Sequence, residues 1–455
     1  MKEACLLPLF FIAVFSLSSQ TIGTFTSVQP GSPTEVFQFP SSHAVQKLIQ
    51  VGDPAGEIGT LPPLPDYTAF VSSDGGSTDG QLSLNHELDG GDGRVSMFDF
   101  TFDAGTQLWS LSNGQAIDFT GIGGTSRDCS GAITPWGTVL IGEEDVTTAD
   151  NNDDGYRDWG WLVEIDPATR SVIDKVWAAG NCFHETAAFA DQQTFYAGSD
   201  DPGTGFLYKF VADNPADLSS GELFALKRDG PNSTTGQWLS IPNTTQAERN
   251  LTTPAASAVG ATNFNGIEGV KIGPDDKIYF AAQGTGSIYR LTDNGSTVSN
   301  LERWVGPSST SYVIDYGSGS QPVAWGLGND NIAFDNNGNL WVLQDGGNNY
   351  IWMVKANHTP ANPHVEIFGI PPIGGEPTGI TFTPDGNYLF MSFQDADSGN
   401  DVTVTDAGGS EFTYNRGTVM VIARAENLGA PLPLELTWFD AKAGYSDVTL
   451  NWKAA

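Results

Sequence analysis

Short apolar runs alternate with clusters of turn residues along most of the chain, and one pattern recurs. TAAFADQQTFYAGSDD (186–201), GVKIGPDDKIYFAAQ (269–283), NIAFDNNGNLWVLQDG (331–346) and GITFTPDGNYLFMSFQD (379–395) each read as strand, tight turn, strand. The turns use Asp, Asn, Pro and Gly, residues whose backbone preferences suit chain reversal. GAITPWGTVLIGEED (131–145) follows the same pattern, with WGWLVEID (159–166) as its third strand. YTAFVSSDGGSTDGQLSLNHE (67–87), followed by RVSMFDF (94–100), is a looser copy with a longer turn. Long helical periodicity is absent.

The repeat predicts an all-β fold of six units, each with three or four antiparallel strands. A sheet that small cannot bury both faces alone. Radial stacking of such sheets solves the problem and protects their edges. The expected architecture is a six-bladed β-propeller over residues 20–426; a two-sheet sandwich array is the structural alternative. The copies align on the last apolar residue before the turn: Ile133, Phe189, Ile272, Phe334 and Phe382. Four residues earlier stand Cys129, Glu185, Glu268, Asp330 and Thr378. The second strands end at Glu143–Glu144, Ser199–Asp201, Ala282–Gln283, Gln344–Asp345 and Ser392–Gln394, and at Asn85-His86-Glu87 in the looser copy. A strand that leaves one face and a partner that returns to it place both sets on that face, near the axis. Converging acids repel unless cations lie among them. Carboxylates suit hard cations such as Ca²⁺, and a thiolate suits a softer ion such as iron or zinc. A metal cluster at the mouth of the central channel is therefore expected. A ring of caps and hydrogen-bond acceptors joining the blades is the plainer reading.

Charge sharpens this picture. The 20 Lys and Arg against 54 Asp and Glu give a net −34, which disfavours nucleic acid and anionic membrane surfaces as partners. Residues 1–19, MKEACLLPLFFIAVFSLSS, carry one lysine before an apolar run and read as a secretory signal peptide, too short to span a membrane comfortably. Cys5 leaves with it, so the secreted chain keeps Cys129 and Cys182, and an oxidising compartment suggests a disulfide between them.

These residues carry a resemblance. CSGAITPWGTVLIGEE (129–144) resembles the Cys-Ser-Gly-Gly-x-Thr-Pro-Trp-Gly-Thr…Glu-Glu signature of the secreted PhoX-type alkaline phosphatases. NHE (85–87), FHE (183–185), IEG (267–269), the DN of NDNIAFD (329–335) and GGEPTGITFTPDG (374–386) match shorter signatures of that family in order. The resemblance implies a six-bladed propeller carrying an iron–calcium cluster (Fe³⁺ and Ca²⁺), with Cys129 as a bridging thiolate. It further implies Glu185, Glu268 and Asp330 as metal ligands, with Glu87 and Glu143 or Glu144 among the calcium ligands. Asn85, His86 and His184 become candidates for orienting the ligands they adjoin, although a structural role suits each histidine equally. The implied activity is hydrolysis of phosphate monoesters by a secreted, monomeric enzyme with no side-chain nucleophile. The chain departs from the family where Gly266 stands in place of an Arg that helps hold phosphate, and Lys271 or Arg290 are candidates to compensate. A Cys129–Cys182 disulfide would remove the thiolate.

Two segments lie outside this core. Asp150, Asn152, Asp154 and Asp158 have the spacing of a calcium loop, but Trp161 stands where its glutamate belongs; an extra calcium site and a solvated acidic turn both fit. Residues 427–455 read as a linker and the start of a C-terminal β-sandwich, resembling the module before the sorting domain of Bacteroidetes proteins of the type IX system. Alternative functions on the same fold are a calcium-dependent phosphodiesterase, phytase or lactonase, and a non-catalytic metal-binding propeller. No Ser-His-Asp arrangement, phosphate-cradling Gly loop or dinucleotide fingerprint competes.

Overall fold

The computed structural model describes residues 20–429, 436–443 and 448–454. The expected signal peptide, residues 1–19, lies outside the described residues. Strands dominate; among the described residues the helices are short, the longest being Thr252–Val259. None is long and apolar enough to cross a membrane.

The recurring hairpins form successive antiparallel meanders in a propeller-like arrangement. Pro65–Ser72, Asp79–His86, Arg94–Asp103 and Leu108–Ala116 make one four-stranded sheet. Asp128–Ile133, Val139–Glu143, Leu162–Asp166 and Ser171–Lys175 make the next, and Asn329–Phe334, Leu340–Gln344, Ile351–Val354 and Val365–Gly369 another. Between them lies a nine-stranded sheet. It contains the meanders that begin at His184–Phe189 and Ile267–Ile272, joined where Gly236–Ile241 pairs with both Asp217–Arg228 and Thr297–Val305.

The last sheet is assembled from both ends of the described chain. Glu376–Phe382, Tyr388–Gln394 and Thr418–Arg424 receive His43–Gln50 as their outer strand. That pairing closes the circle with hydrogen bonds and covers an edge that would otherwise be open. The first strands of the meanders touch in cyclic order, Pro65–Ser72 contacting both Asp128–Ile133 and Glu376–Phe382.

Each apolar core is shared by two neighbouring meanders, so no single repeat buries both its faces alone. Phe70, Phe100 and Trp109 of the first sheet pack on Tyr388 and Phe390 of the last. Phe100 stacks on Trp109 at 4.4 Å between centroids, and Phe390 meets Phe100 edge-on at 5.0 Å. Trp341, Met353 and Phe368 pack likewise against Leu389, Met391 and Phe393. Near the axis the packing is tight enough to require glycine. A Cβ at Gly142 or Gly198 would strike the backbone of the adjoining inner strand, at His184 and Glu185 or at Ile267 and Glu268. The described C-terminal residues form a two-stranded sheet of their own, Leu436–Ala443 with Val448–Ala454.

Candidate metal centre

Every inner strand carries a register shift against its partner at the same place. The shifts fall between Pro65 and Thr68, Asp128 and Gly131, His184 and Ala187, Ile267 and Val270, Asn329 and Ile332, and Thr378 and Thr381. Such a bulge inserts one residue and re-aims its side chain. The residue after the last regular pair is Asp66, Cys129, Glu185, Glu268, Asp330 and Gly379, respectively. The sequence alignment covered five hairpins; the structure adds the first and corrects the last. Asp66 joins the set, four residues before Phe70 of the first hairpin. The sixth position belongs to Gly379 rather than Thr378. Gly379 has φ +67°, and a Cβ there would collide with the Asp66 carbonyl.

Three groups of potential ligand atoms lie side by side: Asp66, Glu87 and Cys129; Cys129, Glu144 and Glu185; Glu185, Glu268 and Asp330. Within each group the atoms are within 4.8 Å of one another. Cys129 links the first two groups and Glu185 the last two. The thiol of Cys129 donates to Asp66 Oδ2 at 3.6 Å. Asn85 fixes the Cys129 backbone, its Nδ2 donating to the Cys129 carbonyl at 2.7 Å. Gln394 Nε2 donates to Asp66 Oδ2 at 2.9 Å and to Glu87 Oε2 at 3.3 Å. Glu376 adds a further acid whose charge is felt at Asp330. Asp66, Glu376 and Gln394 are thus site residues absent from the sequence-derived set.

Burial and mutual repulsion dominate the electrostatics. Burial, then the neighbouring Asp330, Glu144 and Asp66 charges, push Glu185 well above the usual carboxylate range. Burial and Glu87 raise Asp66 to about 7, and burial and Asp345 raise Glu376 to about 9. Burial, followed by Asp66 and Glu185, raises the Cys129 thiol. Both carboxylate oxygens of Glu185 and Oδ1 of Asp66 are buried with no hydrogen-bond partner. Buried carboxylates are ordinarily paired or metal-bound. Hard oxygen donors with one soft sulfur therefore fit a set of cations, some hard and at least one softer.

Other candidates are placed elsewhere. Glu143 is corrected: alternation along the strand turns it away from Glu144, and it pairs with Lys175 at 2.9 Å, both side chains being buried. It also accepts from the Gly160 and Trp161 N–H groups. His86 spends its nitrogens on the Pro63 carbonyl and Ser96 Oγ, and His184 Nε2 contacts the Gly180 carbonyl. Burial lowers both to about 4. They brace the backbone beside Glu87 and Glu185. Cys129 and Cys182 are both free, so the alternative disulfide is not formed.

The acids of the 150–158 loop are hydrogen-bond acceptors. Asp150 takes the Asp154 and Gly155 N–H groups, Asn152 bonds Asp154, and Asp158 accepts from Asn151. They do not form a ligand group among the described residues. Of the basic groups considered as compensation for Gly266, Arg290 is bound to Glu302 at 2.7 Å and lies over Trp304. Lys271 lies within an inner strand beyond Glu268. Gly266 has φ +89°, and a Cβ there would run into the Asp200 carboxylate.

Comparison with known proteins identifies a family. The profile of the alkaline phosphatase PhoX family matches residues 103–397. Among solved structures, Pseudomonas fluorescens PhoX in complex with vanadate, a transition-state analogue, superposes with a TM-score of 0.68 at 20% identity, covering 89% of this chain and 99% of that one. A Bacteroides thetaiotaomicron protein of unknown function matches at TM-score 0.45 and 11% identity, over 84% of this chain and 76% of that one. A Xanthomonas campestris gluconolactonase matches at 0.43 and 10%, over 89% and 99%. No curated protein matches. The family match extends from the first sheet into the last and takes in the bulged strands that carry Cys129, Glu185, Glu268 and Asp330; the chain belongs to the alkaline phosphatase PhoX family and is a metal-dependent phosphoric monoester hydrolase.

Proposed function

We propose that this chain is a secreted six-bladed propeller phosphatase that hydrolyses small phosphate monoesters at an iron–calcium centre on the axis. The observation that carries the reading is Cys129 inside a buried carboxylate ring, shared between two ligand groups. Asp66, Glu87, Cys129, Glu144, Glu185, Glu268 and Asp330 would hold the ions. The cyclic contact of the inner strands supports six blades. The N-terminal apolar run supports export, and residues 427–455 would begin a separate module.

When bound, the cations would supply positive charge that offsets the repulsion between these acids and a phosphate dianion and stabilises charge on the transferring group. The chain's own residues set the conditions for this. The bulges fix where each ligand atom points. Asn85 and Gln394 hold Cys129 and Asp66 in place. The buried setting keeps water from screening the interaction.

Elemental analysis and the visible spectrum of wild type and Cys129→Ser test the centre. Iron with calcium, and a charge-transfer band lost in the variant, are expected. Calcium alone, with no band, would overturn the iron assignment. Turnover of p-nitrophenyl phosphate against bis-p-nitrophenyl phosphate tests the substrate class, with the monoester expected to be preferred.

A further inference from the structure

Arg127 stands at the edge of the acid cluster, and its position is fixed from both sides. Its N–H donates to the Leu88 carbonyl at 2.8 Å, and its carbonyl accepts from the Glu144 N–H at 3.0 Å. Its φ is +48°, a left-handed conformation uncommon for a residue with a side chain. At one end of the guanidinium, Nε lies 2.9 Å from Oδ1 of the exposed Asp89, a charge pair without hydrogen-bond geometry. Its two terminal nitrogens face the cluster: Nη2 is 3.4 Å from Glu87 Oε1 and Nη1 is 3.8 Å from Glu144 Oε2. Both separations exceed a normal hydrogen bond. The arginine side chain is 37% exposed, against 17% and 14% for the two glutamates. The fork is thus aimed at two ligand candidates, bonded tightly to neither, and reachable from solvent.

We infer that Arg127 binds the substrate's phosphoryl group, donating from Nη1 and Nη2 to its non-bridging oxygens. The inference rests on the phosphatase reading above. Cations on Glu87 and Glu144 would take up the charge that now attracts the guanidinium. Its two terminal nitrogens would then be free for an incoming dianion, which a planar fork matches in a bidentate manner. The backbone bonds to Leu88 and Glu144 keep the residue in place during that exchange. Gly266 itself carries no donor, and the Asp200 carboxylate lies where its side chain would begin. Arg290 is already committed to Glu302.

The competing role for Arg127 is that of a counter-ion serving only to offset Glu87 and Glu144. Metal-loaded wild type, Arg127→Lys and Arg127→Gln separate the two. Metal content, kcat/KM for p-nitrophenyl phosphate, and inorganic phosphate binding by calorimetry are measured for each. Arg127→Gln is expected to keep its metals, lose about 100-fold in kcat/KM and bind phosphate at least ~10-fold more weakly. Arg127→Lys is expected to fall between. Unchanged phosphate affinity in a fully loaded Arg127→Gln would overturn the assignment, as would loss of metals with normal phosphate affinity on reloading. A wild type that binds phosphate but does not turn over the monoester would count against the phosphatase reading instead. The calorimetric difference between wild type and Arg127→Gln would then still decide Arg127.

Discussion

Glu143 and Glu144 adjoin in the chain, and the fold gives them opposite work. Glu143 is the buried partner of Lys175, whereas Glu144 shares a ligand group with Cys129 and Glu185. Removing one member of a buried pair strands the other, at a cost of about 3–5 kcal/mol. Glu143→Gln is expected to lower stability by that order in chemical denaturation while leaving metal stoichiometry intact. Glu144→Gln is expected to do the reverse, with bound metal falling and denaturation of the metal-free protein little changed. Asp66→Asn offers a second comparison at this scale. It keeps the shape and the Gln394 contact region but removes a charge beside Cys129, so metal content and turnover should both fall, the latter by about 100-fold. Full occupancy and full turnover in Asp66→Asn would remove Asp66 from the centre. Glu143 and Glu144 look alike in sequence because only the pleat, period two, separates them.

At the scale of the element, the bulge organises the site. One inserted residue per inner strand interrupts the regular alternation, at a potential ligand in five strands and at Gly379 in the sixth. Gly379 occupies that position in the last sheet, in a left-handed conformation against Asp66. Gly379→Ala therefore meets both a strained φ and a collision. It is expected to destabilise the protein by about 1–3 kcal/mol and to weaken metal binding by displacing Asp66. Thermal unfolding and metal titration of the variant read the two effects separately. The recurring hairpins were legible in sequence because strand, turn and strand have distinct compositions. The bulge leaves no compositional trace, and Asp66 escaped notice for that reason: its strand runs one apolar residue longer before a longer turn.

At the scale of the molecule, closure and charge decide stability. His43 opens the strand that completes the last sheet, its Nε2 meeting the Ile22 carbonyl at 2.9 Å and its ring set edge-on to Phe25 and Phe368. Burial lowers its pKa from 6.5 to about 4. A depressed folded-state value means that its contribution is complete above pH 6.5 and is lost as pH falls toward 4. The loss at full protonation is on the order of 3 kcal/mol. The melting temperature of wild type should therefore fall between pH 6.5 and 4.5 more steeply than that of His43→Gln. Equal slopes would show that the ring does not contribute. Chelation acts at the candidate metal centre instead. With cations removed, the acids of the centre face one another unpaired, so a chelator should lower the melting temperature and readdition of calcium and iron should restore it.

The sequence by itself determined the all-β repeat and the hairpin ends at which potential ligand atoms recur. Those features rest on local rules: turn residues, alternation, and equal spacing from a common landmark. It also aligned Cys129 with Glu185, Glu268 and Asp330, since all four stand four residues before the common landmark. Tertiary structure alone decided the rest. It paired Glu143 with Lys175, left Cys182 apart from Cys129, brought Asp66, Glu376 and Gln394 to the centre, and set Arg127 over Glu87 and Glu144. Some of these are settled within one sheet, as for Glu143 and Lys175, and others by which hairpins meet near the axis. Loop lengths and single-residue bulges control that meeting, and neither is written in the hydrophobic pattern.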